Sequence, residues 1–386
     1  MLPALNAAEA EHSAALRQRI THSIDAAGGF IDFATFMDLA LYAPGLGYYS
    51  AGSAKLGAAG DFTTAPEVST LFGRCVARQC AQVLRAIPGG SILELGAGTG
   101  SMAATVLEEL AALQALPVSY SILEVSADLA ERQRARLAAL PEALRSRVQW
   151  LQQLPATPQQ GLIVANEVLD ALPCRRFVVG PGLIEELGVC RTAETLGWAR
   201  RPADAALSAA VQEVDAALAE PLAPGYTSEL CLLADPWIRS LAAVLERGVM
   251  LLFDYGLPRA QYYHPQRRSG TLTCHFKHRA HFDPLLHVGV QDITAWVDFT
   301  RIALAAHGAG LAVLGFCTQA GCLLGAGIEE LLGAARDARE QARLAGEARR
   351  LLMPGEMGEA FKLLALGRGL ELPLISFRHQ DLRDSL

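Results

Sequence analysis

Through the middle of the chain, apolar runs of strand length alternate with segments of helical period. Ser91–Leu95 is a short, mostly apolar run, followed by glycines at 96, 98 and 100 and by a stretch of helical composition from Ser101 to Leu110. Ser119–Val125, Val148–Leu151 and Gly161–Ala165 are further apolar runs, and Asp128–Leu140 is an amphipathic segment with Arg132, Arg134 and Arg136 on its polar side. Strands buried on both faces read as continuous apolar runs, and the crossovers between them read as amphipathic helices. The alternation therefore predicts an α/β fold with a Rossmann-like, mostly parallel, doubly wound sheet.

The flanks follow other patterns. Residues 12–27 and 32–42 predict helices, the second stopped by Ala43-Pro44-Gly45, and 69–86 predicts a third, capped by Ser69 or Thr70. Residues 44–67 are a long Gly/Tyr/Ser/Thr-rich loop of the kind that more often carries function than not. After Pro173 the alternation breaks. Arg176–Val179 and Gly182–Cys190 predict a hairpin, and 203–219 and Asp235–Glu246 predict helices. Gly248–Asp254 resumes the parallel core, and 256–290 reads as a polar, Gly/His-rich loop. Asp292–His307 predicts a helix, Leu311–Phe316 a strand, 328–350 a helix and Phe361–Leu366 a last strand. The expected organisation is an N-terminal helical extension with an active-site loop (1–90), the first part of the core (91–173), an inserted subdomain (174–230) and the second part of the core (231–386).

Composition narrows the partners. With 386 residues, 51% hydrophobic and 19% charged, the chain has a globular composition, and its net charge of −7 disfavours nucleic-acid backbones. Eight cysteines without a C-x-x-C pair, and acids at Glu9, Glu11 and Asp25 where a signal or transit peptide would avoid them, predict reduced thiols in a bacterial-type cytoplasmic protein. The uncharged stretch Gly308–Ile328 holds several glycines with Thr318 and Gln319, and reads as strand, turn and helix start rather than a membrane span.

The candidate chemistry gathers at the ends of the predicted strands. A strand, a glycine turn and a helix bring bare backbone close to a nucleotide-like ligand. Here the third glycine comes one residue too early for G-x-G-x-x-G, no Gly-Lys-Ser/Thr follows, and Glu94 stands where a pyrophosphate would be repelled. The pattern E-x-G-x-G-x-G is instead that of Rossmann-like S-adenosylmethionine (SAM) methyltransferases, with Gly96, Gly98 and Gly100 under the cofactor and Glu94 facing its cationic end. Glu124, with Val125 beside it, closes the next strand, where a carboxylate accepts ribose hydroxyls. That feature suits NAD equally, though Glu94 and Gly100 speak against NAD. Asn166-Glu167-Val168-Leu169-Asp170 follows the fourth strand. Asn166 is a cofactor candidate, while Glu167 and Asp170 suit a guanidinium. The alternative is helix capping by Asn166 with acids in the first turn. Gly60-Asp61-Phe62-Thr63-Thr64 combines a hinge, an acid, an aromatic and hydroxyls, as a lid over the sulfonium would. Asp254, before Tyr255-Gly256, is a further crevice acid or a turn former, and Glu67 adds another. Cys274, His275, His278 and His281 lack a metal-site framework, so no metal is expected.

With these segments assembled, the chain resembles the MidA-type methyltransferases, a family that includes the mitochondrial complex I assembly factor that methylates an arginine of a core subunit. The resemblance rests on Tyr42–Tyr49, Gly60–Glu67, Glu94–Gly100, Asn166–Pro173, Asp254–Gly256, Gly270–Cys274, Asp292–Phe299 and Pro354–Gly358, in family order. It implies a SAM-dependent transferase acting on an arginine of a partner protein, with symmetric dimethylation as one outcome and a homodimer as one assembly. Asp61, Glu67, Glu167 and Asp254 are then the catalytic candidates. Gly60, Phe62, Thr63, Glu94, Gly96, Gly98, Gly100, Glu124, Val125 and Asn166 are the cofactor-binding candidates. Ala97, Val168, Leu169 and Trp296 depart from the family pattern, and Trp296 bears on the acceptor pocket. A SAM-binding assembly chaperone and a small-molecule methyltransferase are the rival functions.

Overall fold

The apolar runs lie side by side in one sheet of the computed structural model, which describes residues 2–51, 63–193 and 195–386. Seven of its strands are β1 (Ser91–Leu95), β2 (Tyr120–Leu123), β3 (Val148–Leu151), β4 (Gln159–Asn166), β5 (Leu245–Leu257), β6 (Ala312–Thr318) and β7 (Phe361–Arg368). Their order is β3-β2-β1-β4-β5-β7-β6. The pairs β2–β3, β1–β2, β1–β4 and β4–β5 are parallel, and β7 runs antiparallel between β5 and β6. The chain winds outward from β1 to β3 and then returns to place β4 on the other side of β1. Such a reversal leaves a crevice beyond the carboxyl ends of β1 and β4, where ligands of open α/β sheets bind.

This sheet belongs to a compact unit made of 63–168, 237–256 and 299–386. Helices α1 (Thr70–Ala86), α2 (Ser101–Ala112) and α3 (Ala127–Leu137) flank its first strands in the chain. Ser69 Oγ accepts the Leu71 N–H at 3.1 Å, so Ser69 is the cap of α1 that the sequence left open between two residues. Ile92, Ile122, Leu162, Val164, Leu251 and Leu363 pack in one buried cluster with Phe72, Val83, Val106 and Leu110 of α1 and α2. Burial on both faces is why these strands carry no polar alternation.

The second compact unit comprises 1–62, 169–236 and 257–298. Its helix Ala7–Ala26 starts with a capping box between Asn6 and Glu9. Antiparallel strands Phe30–Asp32, Ile184–Arg191, Arg175–Val179 and Thr227–Leu230 follow one another in its larger sheet, with Leu196–Pro202 also paired to Ile184–Arg191. Leu16, Ile20, Ile24, Phe33, Phe36 and Met37 form its core with Val189 and Ile293.

Several predicted elements differ. The segment 256–290 contains strands Thr273–Phe276 and Arg279–His281, which pair antiparallel, and Thr273–Phe276 also pairs with Asp292–Thr294. Asp292 therefore starts a strand, and the predicted helix begins only at Phe299. The predicted helix 328–350 is two, Ile328–Gly333 and Ala338–Leu352, because Asp337 caps a new start by accepting the Glu340 N–H at 2.8 Å. No helix follows Asn166: Glu167 has φ +54°, which ends the strand in a turn and removes the capping alternative. Among the described residues no helix is long and apolar enough to cross a membrane, and Gly308–Ile328 resolves into strand β6 and the short helix Gln319–Gly325.

Candidate functional site

The glycine turn between β1 and α2 is demanded by backbone conformation. Gly96, Gly98 and Gly100 have φ of +62°, +55° and +82°, a region that costs an L side chain about 1–2 kcal/mol. Gly100 is the N-cap of α2 and has no side chain to cover the first amides of that helix. The turn thus presents backbone without side chains at the mouth of the crevice, with the Gly96 and Gly100 N–H groups donating to the Leu123 and Ala97 carbonyls at 3.2 and 2.8 Å. Its outer side is braced by the short helix Ala65–Val68. Ser101 Oγ donates to the Pro66 carbonyl at 3.1 Å, and Thr99 Oγ1 donates to the Glu67 carboxylate, which also meets Arg136 at 3.3 Å. Glu67 therefore stands against the turn as a strut.

Glu124 ends the next strand as the sequence predicts, and is nearly buried. One carboxylate oxygen accepts the Ser126 N–H at 2.8 Å and the other accepts Gln133 Nε2 at 2.9 Å. A carboxylate has about four acceptor positions, and the Ser126, Gln133 and Val125 N–H groups leave it capacity for a ligand hydroxyl. Burial raises its pKa, opposed by the Ser126 and Gln133 bonds. Val125, 78% exposed, stands beside it.

Gln133 is the residue the sequence reading missed. It is fully buried, and its Nε2 also donates to the Gly98 carbonyl at 2.9 Å, while its Oε1 accepts from Trp150 Nε1 at 3.0 Å. One amide thus ties the glycine turn to the Glu124 carboxylate. The available signal was a polar residue on an apolar stripe: Ala130, Gln133 and Leu137 are the buried positions of α3. Gln133→Glu should place two acids in contact and force them to share a proton. SAM affinity of the variant should be about tenfold weaker at high pH and recover as pH falls, as measured by calorimetry. Gln133→Met should be weak at every pH.

Glu94 lies deeper than expected, 1% exposed. Tyr120, on the neighbouring strand, donates its hydroxyl to Glu94 Oε2 at 2.7 Å, and Oε1 is buried with no hydrogen-bond partner. Burial pushes its carboxyl up to about 7, with the Tyr120 bond pulling down and Glu124 pushing up. A folded pKa above the ordinary carboxylate value means a stability contribution that is full below that value and is lost as pH rises through about 7. Glu94→Gln should therefore gain stability relative to the native chain between about pH 5 and about pH 8 in thermal melts. Parallel pH profiles would show that Glu94 titrates normally.

At the end of β4, Asn166 Nδ2 donates to Glu167 Oε1 at 3.1 Å, and Asn166 Oδ1 is buried without a partner. Glu167 is held in its left-handed conformation by its N–H, which donates to the Phe253 carbonyl at 2.9 Å. Asp254, fully buried, accepts the Val168 N–H at 3.2 Å and the Tyr255 N–H at 2.9 Å. It braces the turn that carries Glu167. A strained, non-glycine residue over-determined by its surroundings is a hallmark of functional positions. Thr63 is described at the start of the segment leading to Glu67, whereas Gly60, Asp61 and Phe62 lie outside the described residues. Asp170 falls in the other unit and is buried. No group of His, Cys, Asp and Glu among the described residues could hold a metal.

A bare turn, an acid with spare acceptor positions and two buried oxygens without partners, on Glu94 and Asn166, suit a ligand with ribose hydroxyls and amino groups. Residues 75–317 match a family described as S-adenosyl-L-methionine-dependent methyltransferases. The protein named "Protein arginine methyltransferase NDUFAF7 homolog, mitochondrial" of Drosophila melanogaster is 30% identical over 373 residues, covering 89% of this chain and 82% of its own. The NDUFAF7 protein arginine methyltransferase of Mus musculus is 28% identical, covering 88% and 81%. A crystal structure from Burkholderia thailandensis bound to S-adenosyl-homocysteine is 40% identical, with a TM-score of 0.94 and full coverage of both chains.

Proposed function

We propose that this chain, which belongs to the S-adenosyl-L-methionine-dependent methyltransferase family matched by residues 75–317, transfers a methyl group to an arginine side chain of a partner protein. The observation that carries the reading is its alignment, over 88–89% of its length, with proteins named protein arginine methyltransferase. A respiratory complex I subunit is the acceptor that the sequence resemblance implies.

In this reading the turn of Gly96, Gly98 and Gly100 admits the cofactor against bare backbone. Glu124 takes the ribose hydroxyls, with Val125 at the rim. Glu94 and Asn166 offer their partnerless oxygens to its amino groups, and Gly60, Phe62 and Thr63 remain the cofactor candidates of the segment before Glu67. When bound, the cofactor supplies a methyl carbon made electrophilic by its sulfonium. The work left to the chain is in-line placement and preparation of the nucleophile. A guanidinium is protonated, and its nitrogen is a poor nucleophile. A carboxylate accepting two of its N–H groups draws the positive charge away from the attacking nitrogen and can take the proton that must leave. Glu167 is the candidate for that carboxylate, and Asp254 positions it through the Val168 and Tyr255 amides. Glu67 and Asp61 are the remaining acids of the set.

Mass spectrometry of proteins co-purified with the chain, incubated with and without SAM, tests the reading. A methyl gained on arginine only in the presence of SAM is the expected result. Methylation confined to other residue types, or to small molecules, would overturn the arginine assignment. Glu167→Gln should lower turnover at least about tenfold with S-adenosyl-homocysteine affinity unchanged.

A further inference from the structure

The unit built from 1–62, 169–236 and 257–298 contains a cavity of about 450 Å³ that the cofactor chemistry does not use. Arg176, Arg267, Ser269, Thr273, Phe282 and Trp296 are among its lining residues. One wall is locked. Glu229, 1% exposed, accepts Arg176 Nε at 3.0 Å on one oxygen and the Thr271 N–H at 2.8 Å on the other. Gly270, at φ +81°, is required there, because a Cβ would lie 2.3 Å from the Glu229 carboxylate. The Arg176 charge is thus neutralised, and its guanidinium is stacked 4.9 Å from the centre of the Trp198 ring.

Arg267 is different. Its guanidinium lies 5.2 Å from the centre of the Trp296 ring, its Nε is shielded from water without an acceptor, and no carboxylate among the described residues pairs with it. The cavity therefore carries a net positive charge on a guanidinium fixed by an aromatic face, beside the Ser269 and Thr273 residues. Phe282, 79% exposed, adds an apolar lip. A guanidinium pre-positioned on an aromatic face matches a carboxylate borne on an apolar neighbourhood.

We propose that this cavity docks an acidic segment of the protein acceptor, with an Asp or Glu carboxylate on Arg267 and a neighbouring apolar side chain against Trp296 and Phe282. The proposal rests on the acceptor being a protein, and it names the chemistry beside the methylated residue. The charge complementarity resides in this unit alone, so docking does not require cofactor.

A fluorescein-labelled synthetic peptide of alternating Glu and Phe, and its Gln-for-Glu analogue, provide the test by anisotropy on the full chain. The acidic peptide should bind at least about tenfold more tightly than the neutral one, with the difference shrinking at high salt. Arg267→Gln should reduce the acidic peptide to the level of the neutral one, and Arg267→Lys should restore part of the difference. S-adenosyl-homocysteine titrations should be the same in all three proteins. Equal binding of the two peptides by the native chain, or undiminished acidic-peptide binding by Arg267→Gln, would overturn the proposal. The peptide comparison needs no variant, so a folding defect cannot mask the answer. Peptide binding without any methylated arginine in the mass spectra would leave the docking site standing and sink the arginine reading instead.

Discussion

Gly96→Val should weaken S-adenosyl-homocysteine binding by about a hundredfold, as read by calorimetry. At φ +62° a β-branched side chain is strained by about 1–2 kcal/mol or more. A Cβ at this position would also lie 3.1 Å from Val168 Cγ2, so the added methyls press on the turn that follows β4. Both costs can be relieved only by moving the turn, and the backbone of that turn is where the proposed function places the cofactor. The Gly96 N–H, which donates to the Leu123 carbonyl at 3.2 Å, ties the same turn to the strand that ends in Glu124. One substitution thus disturbs the bare backbone, the Glu124 strand end and the Val168 turn together. An affinity within about threefold of the native chain would show that the turn tolerates side chains and that the cofactor does not depend on its conformation.

Gly248→Ala should be the most destabilising small substitution in the central sheet, by about 3–5 kcal/mol in chemical denaturation. Gly248 has φ +146°, and a Cβ there would sit 1.9 Å from the Gly161 carbonyl oxygen and 2.8 Å from its carbon. Gly161 is in the same position relative to Ser91, with a Cβ 2.1 Å from the Ser91 oxygen. Ser91, Gly161 and Gly248 are register partners on β1, β4 and β5. The three backbones therefore close up at one level where the parallel strands begin, and no flexible side chain is available to yield. Gly346→Ala is the matched control. It lies within helix Ala338–Leu352, has open space around its Cβ position, and should stabilise by about 0.5–1 kcal/mol. Similar effects of the two substitutions would mean that the strand starts relax freely.

These two glycines show how legibility divides. Gly96 was readable as a turn glycine, because alternating glycines directly after an apolar strand mark a tight turn at positive φ. Gly161 and Gly248 were not, because a glycine in or beside an apolar run looks the same whether its neighbour is water or another backbone. The strands β1, β4 and β5 were visible for a related reason: burial on both faces demands continuous apolar sequence. Strands Thr273–Phe276 and Arg279–His281 were hidden inside a segment rich in Gly, His and other polar residues, since only cross-strand pairing makes them strands. The break before Ala338 turned on a single capping Asp337 within a charged stretch that keeps its helical period.

In the candidate site the same division holds residue by residue. Glu94, Glu124, Asn166, Glu167 and Asp254 could be named because they follow or close apolar strands, and strand ends converge on the crevice by topology. That Tyr120 would hold Glu94, or that Gln133 would join Gly98 to Glu124, could not be read from order along the chain. Hydrophobic period and glycine placement are local properties, dictated by backbone sterics and burial over a few residues. They were enough to specify the sheet's strands and the glycine turn after its first strand. Hydrogen-bond partnership is settled by register between segments far apart in the chain, and by the geometry of a packed interior. Only the folded chain decides, therefore, which buried oxygens are already satisfied and which still await a partner.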